Sequence, residues 1–207
     1  MPFPMVHFHT AKSFIDSGLK RIDDIPQFFI GVLAPDAIMQ RNGYTYEDKK
    51  RTHFIQTENQ FIRDKALSYI TDKREENPSF YLGYAVHLLT DDAWEKTLSV
   101  TFTQRIVKLI GDDRFSAIRP YYLSEMSRLD VLLYHMHSYL HKILDEIALA
   151  EIFAGDELVT NQELKGEIDY TTAWYLKHTT GETKSEIVTL EEIENFCLCA
   201  AKRIQIG

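Results

Sequence analysis

Apolar side chains recur every third and fourth position through residues 119–154, where Leu129, Leu132, Leu133, Met136, Leu140, Ile143, Leu144 and Ile147 share one face of a helix. Such a period cannot alternate across a strand, so this stretch predicts a long core helix. The same spacing predicts helices near residues 8–20, 24–33, 54–73, 81–99 and 101–111. Near the end, Thr189 to Glu192 reads as a capping box opening the apolar run Ile193, Phe196, Cys197, Ala200 and Ile204, a terminal helix that docks on the body. The expected class is all-α, a single-domain multi-helix bundle over residues 1–207.

With 207 residues, 44% of them hydrophobic, the chain is long enough for one sizeable core. A net charge of -8 argues against a nucleic-acid groove as the dominant feature. The opening MPFPMVHFHTAKSF lacks the apolar stretch of a secretory signal, and no later run approaches the roughly 18 apolar residues of a membrane span. A cytoplasmic protein without an integral membrane segment is expected. Cys197 and Cys199, two positions apart on a helix, do not face each other and read as inert. Residues 155–188 carry three glycines and one good helical phrase, YTTAWYLKH, and read as an irregular excursion or a lid in which Tyr170, Trp174, Tyr175 and His178 could cover a site.

The phrase GYAVHLLTDDAW places polar groups inside an apolar run. At about 100° per residue, His87 and Asp91 fall about 40° apart on one face, whereas Asp92 swings away. A carboxylate at the edge of a core needs a cation or donors, and a metal ion would satisfy both residues at once; an ordinary hydrogen-bonded pair is the alternative. Asp36 follows the apolar run Phe28–Ala34 and Pro35, which is expected to end the helix, so that Asp36 sits where a buried element stops or caps a short helix from Ala37. His53 opens the predicted helix 54–73, just after Lys49, Lys50 and Arg51, a basic triplet that reads as a solvated turn, with a phosphate-binding role as the alternative. On the long helix, Asp130, His137 and His141 share one flank and form a possible second metal group.

The ordered set VH at 6–7, GVLAPDA ending at 37, THF at 52–54 and FYLGYAVHLLTDDAW at 80–94 resembles the zinc-dependent phospholipase C family. The resemblance implies an all-helical bundle, similar in fold to the fungal single-strand nucleases, holding a zinc cluster between helices and cleaving phosphodiester bonds. Matched position by position, it implies metal ligands at His7, Asp36, His53, His87 and Asp91, with His9 as the alternative to His7. It further implies two or more Zn²⁺ ions, Asp36 as the residue that orients or deprotonates the attacking water, and a phosphate-ester small molecule or phospholipid headgroup as substrate. The N-terminal Trp of the family's secreted enzymes and its further downstream His and Glu ligands are not matched. Two other metal bundles are disfavoured by inspection, since neither a His-Asp dipeptide nor a Glu-x-x-His phrase occurs. The rival from another class is a helical binding or regulatory protein with a structural metal.

Overall fold

The computed structural model describes residues 3–56, 60–152, 156–178 and 187–204. They form α1 (Pro4–Asp16), α2 (Ile25–Ala37) running into a 3-10 turn (Ile38–Gln40), α3 (Tyr46–Thr52), α4 (Arg63–Lys73), α5 (Pro78–Lys96), α6 (Leu98–Ile110), α7 (Phe115–Met136), α8 (Ser138–Leu149), α9 (Asn161–Lys177) and α10 (Leu190–Arg203). The all-α class is observed, and no strand occurs among the described residues, where a single bridge joins Ile55 to Phe61. None of the described helices is long and apolar enough to cross a membrane.

The bundle is built around α2 and α5. Both start on well-formed caps: Asp24 accepts from Gln27 N, Asn77 accepts from Phe80 N, and each helix has a proline in its first turn. Every residue from Gln27 to Ala37 is buried, as is every residue from Ser79 to Thr90. Helices apolar on all sides belong in the middle of a fold. The two run side by side in the same direction: Asp24 N donates to Ser79 Oγ, Phe28 meets Gly83, and His87 Nδ1 bonds Val32 O, each contact one turn beyond the last in both helices. Two glycines permit the approach. A Cβ on Gly83 would lie 1.9 Å from Phe28 O, and one on Gly31 would lie 2.0 Å from Phe80 O. Of the remaining helices, α1, α3, α8 and α9 pack on α2, and α1, α4, α6 and α10 on α5, while α7 packs on α1 and α6.

Several expectations need correction. The helix begun near residue 24 does not stop at Pro35 but continues to Ala37, because burial of the whole segment outweighs the missing N–H in its last turn. Pro35 O instead accepts from Thr52 Oγ1. The long helix at 119–154 is two helices, broken at His137, whose φ of -122° and ψ of 99° are extended. No glycine or proline marks that break; the His137 ring is drawn to Glu194 on α10, and the two halves of the apolar stripe serve different neighbours, α7 on α1 and α6, and α8 on α2 and α9. The helix at 54–73 starts only at Arg63, and His53 is the C-cap of α3. The excursion at 155–188 contains the ordered, 17-residue α9, opened by a Thr160–Glu163 capping box; residues 155 and 179–186 lie outside the described residues. The Thr189–Glu192 box and the terminal helix are as expected.

Substituting Gly83→Ala forces a methyl into a backbone carbonyl that cannot rotate away. It should lower stability by about 3 kcal/mol in urea unfolding, and an unchanged midpoint would show that α2 and α5 separate freely at this crossing.

Candidate metal centre

The α2–α5 pairing brings Asp36 and Asp91 to one end of the pair, a turn beyond Val32 and His87. Helix geometry holds as expected on α5, where His87 Nε2 lies 3.5 Å from Asp91 Oδ2. Asp36 Oδ2, from the last turn of α2, lies 4.0 Å from His87 Nε2. His53 arrives from the end of α3, with Nε2 3.3 Å from Asp36 Oδ1 and 3.7 Å from Asp91 Oδ2. Tyr84 on α5 fixes that segment by donating to Thr52 O at 2.7 Å. The chain then turns sharply at Phe54, whose φ of +52° is unusual for an aromatic residue and adjoins the site. From α1, His7 Nε2 comes within 3.4 Å of Asp91 Oδ1, and its ring stacks on His87 with centroids 3.8 Å apart.

These five residues come from three helices and the C-cap of a fourth, yet their nitrogen and carboxylate atoms converge. His7, Asp36 and His87, and likewise His53, His87 and Asp91, each offer ligand atoms within 4.8 Å of one another, so either set could hold a metal ion. The hydrogen bonding points the same way. His87 Nδ1 bonds Val32 O at 2.7 Å and His53 Nδ1 bonds Lys49 O at 3.1 Å; a carbonyl only accepts, so each Nδ1 carries a proton, and in the neutral ring the lone pair is on the inward-facing Nε2. Buried atoms left without a hydrogen-bond partner are His7 Nδ1 and Nε2, His53 Nε2, His87 Nε2 and Asp91 Oδ1, with Thr172 Oγ1 the sole other among the described residues. Native interiors rarely tolerate such groups, and here they sit together.

Electrostatics favours ionised carboxylates and mostly neutral imidazoles. Burial opposes ionisation of Asp36, but the Lys49 ammonium at 3.0 Å, with His53 and His87 beside it, holds its carboxyl well below the usual range. Asp91 is likewise held low, because His87 and His7 override its burial. Burial, reinforced by His87, drives His7 down to about 4, and burial lowers His53. His87 is raised: burial lowers it, but Asp91 and then Asp36 prevail.

Comparisons with family models, with curated proteins and with solved structures find no match for this chain.

Of the two N-terminal histidines, His7 enters the cluster. His9 lies on the other side of α1, where Nδ1 pairs with the Tyr139 hydroxyl and the ring meets His137. The second metal group does not assemble, because the break at His137 separates its members. Asp130 is buried and accepts from Met5 N, Val6 N and the Tyr175 hydroxyl, His137 Nε2 pairs with Glu194, and His141 Nε2 bonds Tyr134 O. Asp130 nonetheless serves the centre, since it anchors the first turn of α1, the helix that carries His7. Nor do the proposed lid residues cover it: Trp174 stacks on His178, Tyr170 is exposed and Tyr175 is tied to Asp130. Cys197 is buried, its thiol pushed up to about 12 by burial, and Cys199 is free and exposed.

Two residues near the site stood out weakly or not at all in the sequence. Lys49 stood in a basic triplet that reads as a solvated turn, but its ammonium faces Asp36. Glu167, on α9, is buried, accepts from Gln40 Nε2 at 2.8 Å, and is pushed up to about 7 by burial, with Asp36 adding to the rise. Only the docking of α9 on α2 reveals it.

Asp130 offers a pH test. Burial raises its carboxyl from 3.8 to about 7, so the folded chain holds this proton more tightly than the unfolded chain. The resulting stabilisation is complete below about pH 4 and is lost as pH rises through 7. The stability of the wild type relative to Asp130→Asn should accordingly fall between pH 4 and 8 in urea titrations, whereas a pH-independent difference would show that the carboxyl is ionised throughout.

Proposed function

We propose that this chain is a zinc-dependent phosphoric ester hydrolase, similar to the zinc-dependent phospholipase C family in its ligand set and acting on a phosphodiester. The observation that carries the reading is the concentration of unpartnered, buried imidazole nitrogens around two ionised carboxylates, a donor set that suits Zn²⁺. His87 has one lone pair to give, since its Nδ1 is engaged by Val32. The two candidate sets have His87 in common, so one ion at a time could have the full use of either set, while each carboxylate faces more than one histidine.

When bound, zinc supplies a Lewis acid that lowers the pKa of a water toward about 7 and polarises a phosphoryl oxygen. The protein's own groups do the rest. Val32 O and Lys49 O fix the tautomer and direction of His87 and His53, so little reorganisation accompanies binding. Asp36 directs Oδ2 toward His87 and Oδ1 toward Lys49 and His53. A carboxylate held so far below its usual range is a weak proton acceptor, so its task is to orient the attacking water rather than to store its proton. The side chains of Asp36 and Asp91 retain 12% and 13% exposure, so the centre meets solvent at one edge, as a catalytic site must and a closed structural site need not. A soluble phosphodiester and a phospholipid headgroup both carry the phosphoryl group this chemistry attacks.

Protein purified without chelator and supplied with zinc should retain metal by elemental analysis and hydrolyse a chromogenic phosphodiester. His87→Ala and Asp91→Ala should each lower zinc affinity and turnover by about 100-fold or more. Retained metal without turnover on any phosphate ester would favour a structural metal in a binding protein, and absence of metal would reject both readings.

A further inference from the structure

Within the basic triplet, the three side chains take different paths. Lys50 pairs with Glu47 and lies over the Tyr46 ring, and Arg51 is exposed. Lys49 alone turns inward: its side chain is 13% exposed, its Nζ lies 3.0 Å from Asp36 Oδ1, and Asp91 and Tyr44 also lie within its field. Its backbone carbonyl is meanwhile the acceptor that orients His53. One residue thus touches two of the groups that would hold a metal, one through its main chain and one through its ammonium.

In the metal-free chain the ammonium is the cation that neutralises Asp36. A divalent ion on Asp36 would bring like charges together at close range, where the surroundings screen them poorly. The stem of Lys49 is largely buried and its backbone is committed to His53, so retreat is restricted. An anion seated between ammonium and metal would remove the conflict, and a tetrahedral phosphoryl oxyanion is the group the proposed chemistry delivers there.

We propose that Lys49 is the oxyanion receptor of this site and couples anion binding to metal binding, so that zinc and a phosphoryl anion bind cooperatively. The inference rests on the metal-hydrolase reading above and adds to it the residue that selects an anionic substrate. Because coupling between two ligands is reciprocal, it can be read from zinc affinity alone, without turnover.

The test is zinc affinity of the full chain, measured by competition with a chromophoric chelator that keeps free zinc low, in the absence of anion and with inorganic phosphate or dimethyl phosphate. Anion should tighten zinc binding to the wild type by about tenfold, and Lys49→Arg should keep that coupling. Lys49→Met should bind zinc more tightly than the wild type without anion and respond to anion by less than about twofold. Coupling to dimethyl phosphate assigns Lys49 to the diester substrate, and coupling to inorganic phosphate alone assigns it to a phosphate product. Wild-type protein that binds zinc equally with and without either anion would overturn the role of Lys49 while leaving the metal centre standing, as would full coupling in folded Lys49→Met. Failure to bind zinc at all would overturn both.

Discussion

The close contact between α2 and α5 at Gly31 and Gly83 is the constraint on which the site depends. Backbone meets backbone there with no room for a Cβ, and this approach lets His87 reach across to the main-chain carbonyl of Val32. A wider spacing would leave that ring nitrogen without its acceptor and the tautomer unfixed. The helices advance together turn by turn, so the register that seats Phe28 on Gly83 also sets Asp36 at the same end of the pair as Asp91. Packing and ligand placement are consequences of the same crossing.

Around this pair, three further anchors deliver the remaining groups. Thr52 bonds Pro35 O and receives Tyr84, which locks the end of α3 and the His53 that follows it. Asp130 holds the first turn of α1 and with it His7. Arg41 ties the end of the 3-10 turn to Glu163 on α9 and to Asp48 on α3. None of these anchors is itself in the cluster, yet each fixes an element that carries or flanks one of its members. The outcome is a rigid arrangement that is poorly satisfied on its own: two carboxylates, an ammonium, and several buried imidazole nitrogens that face the carboxylates without a hydrogen bond. Buried polar groups of that kind are costly unless something completes them, and a divalent cation could take the inward Nε2 atoms and the two carboxylates together, though not the ammonium.

The sequence revealed the parts of this centre that local geometry dictates and hid those that tertiary contact dictates. His87 and Asp91 are four apart on a helix, and no fold could place them on opposite faces once that helix formed. Asp36 was noticeable as a charge following a long apolar run, although the stop expected at Pro35 was wrong because burial of the whole segment prevailed over one missing hydrogen bond. The break at His137 left no mark, since the apolar period runs unbroken through two helices that point to different neighbours. His7 and His9 are indistinguishable by residue type, and only the packing of α1 separates them. Glu167 was invisible, and Lys49 no more than one member of a basic triplet, for the same reason: a lysine in a polar turn and a glutamate in a polar helix become part of a site only when α3 and α9 dock on α2.

The central claim is that histidines and carboxylates from three helices and the C-cap of a fourth meet around a divalent cation. Anomalous scattering at the zinc absorption edge from crystals grown with zinc tests it most directly. The account predicts zinc between α1, α2, α5 and the end of α3, with His53 Nε2 and His87 Nε2 at about 2.0–2.1 Å and Asp36 and Asp91 completing the set. Zinc bound elsewhere, such as beside His137 and Glu194, with the cluster empty at saturating metal, would contradict it.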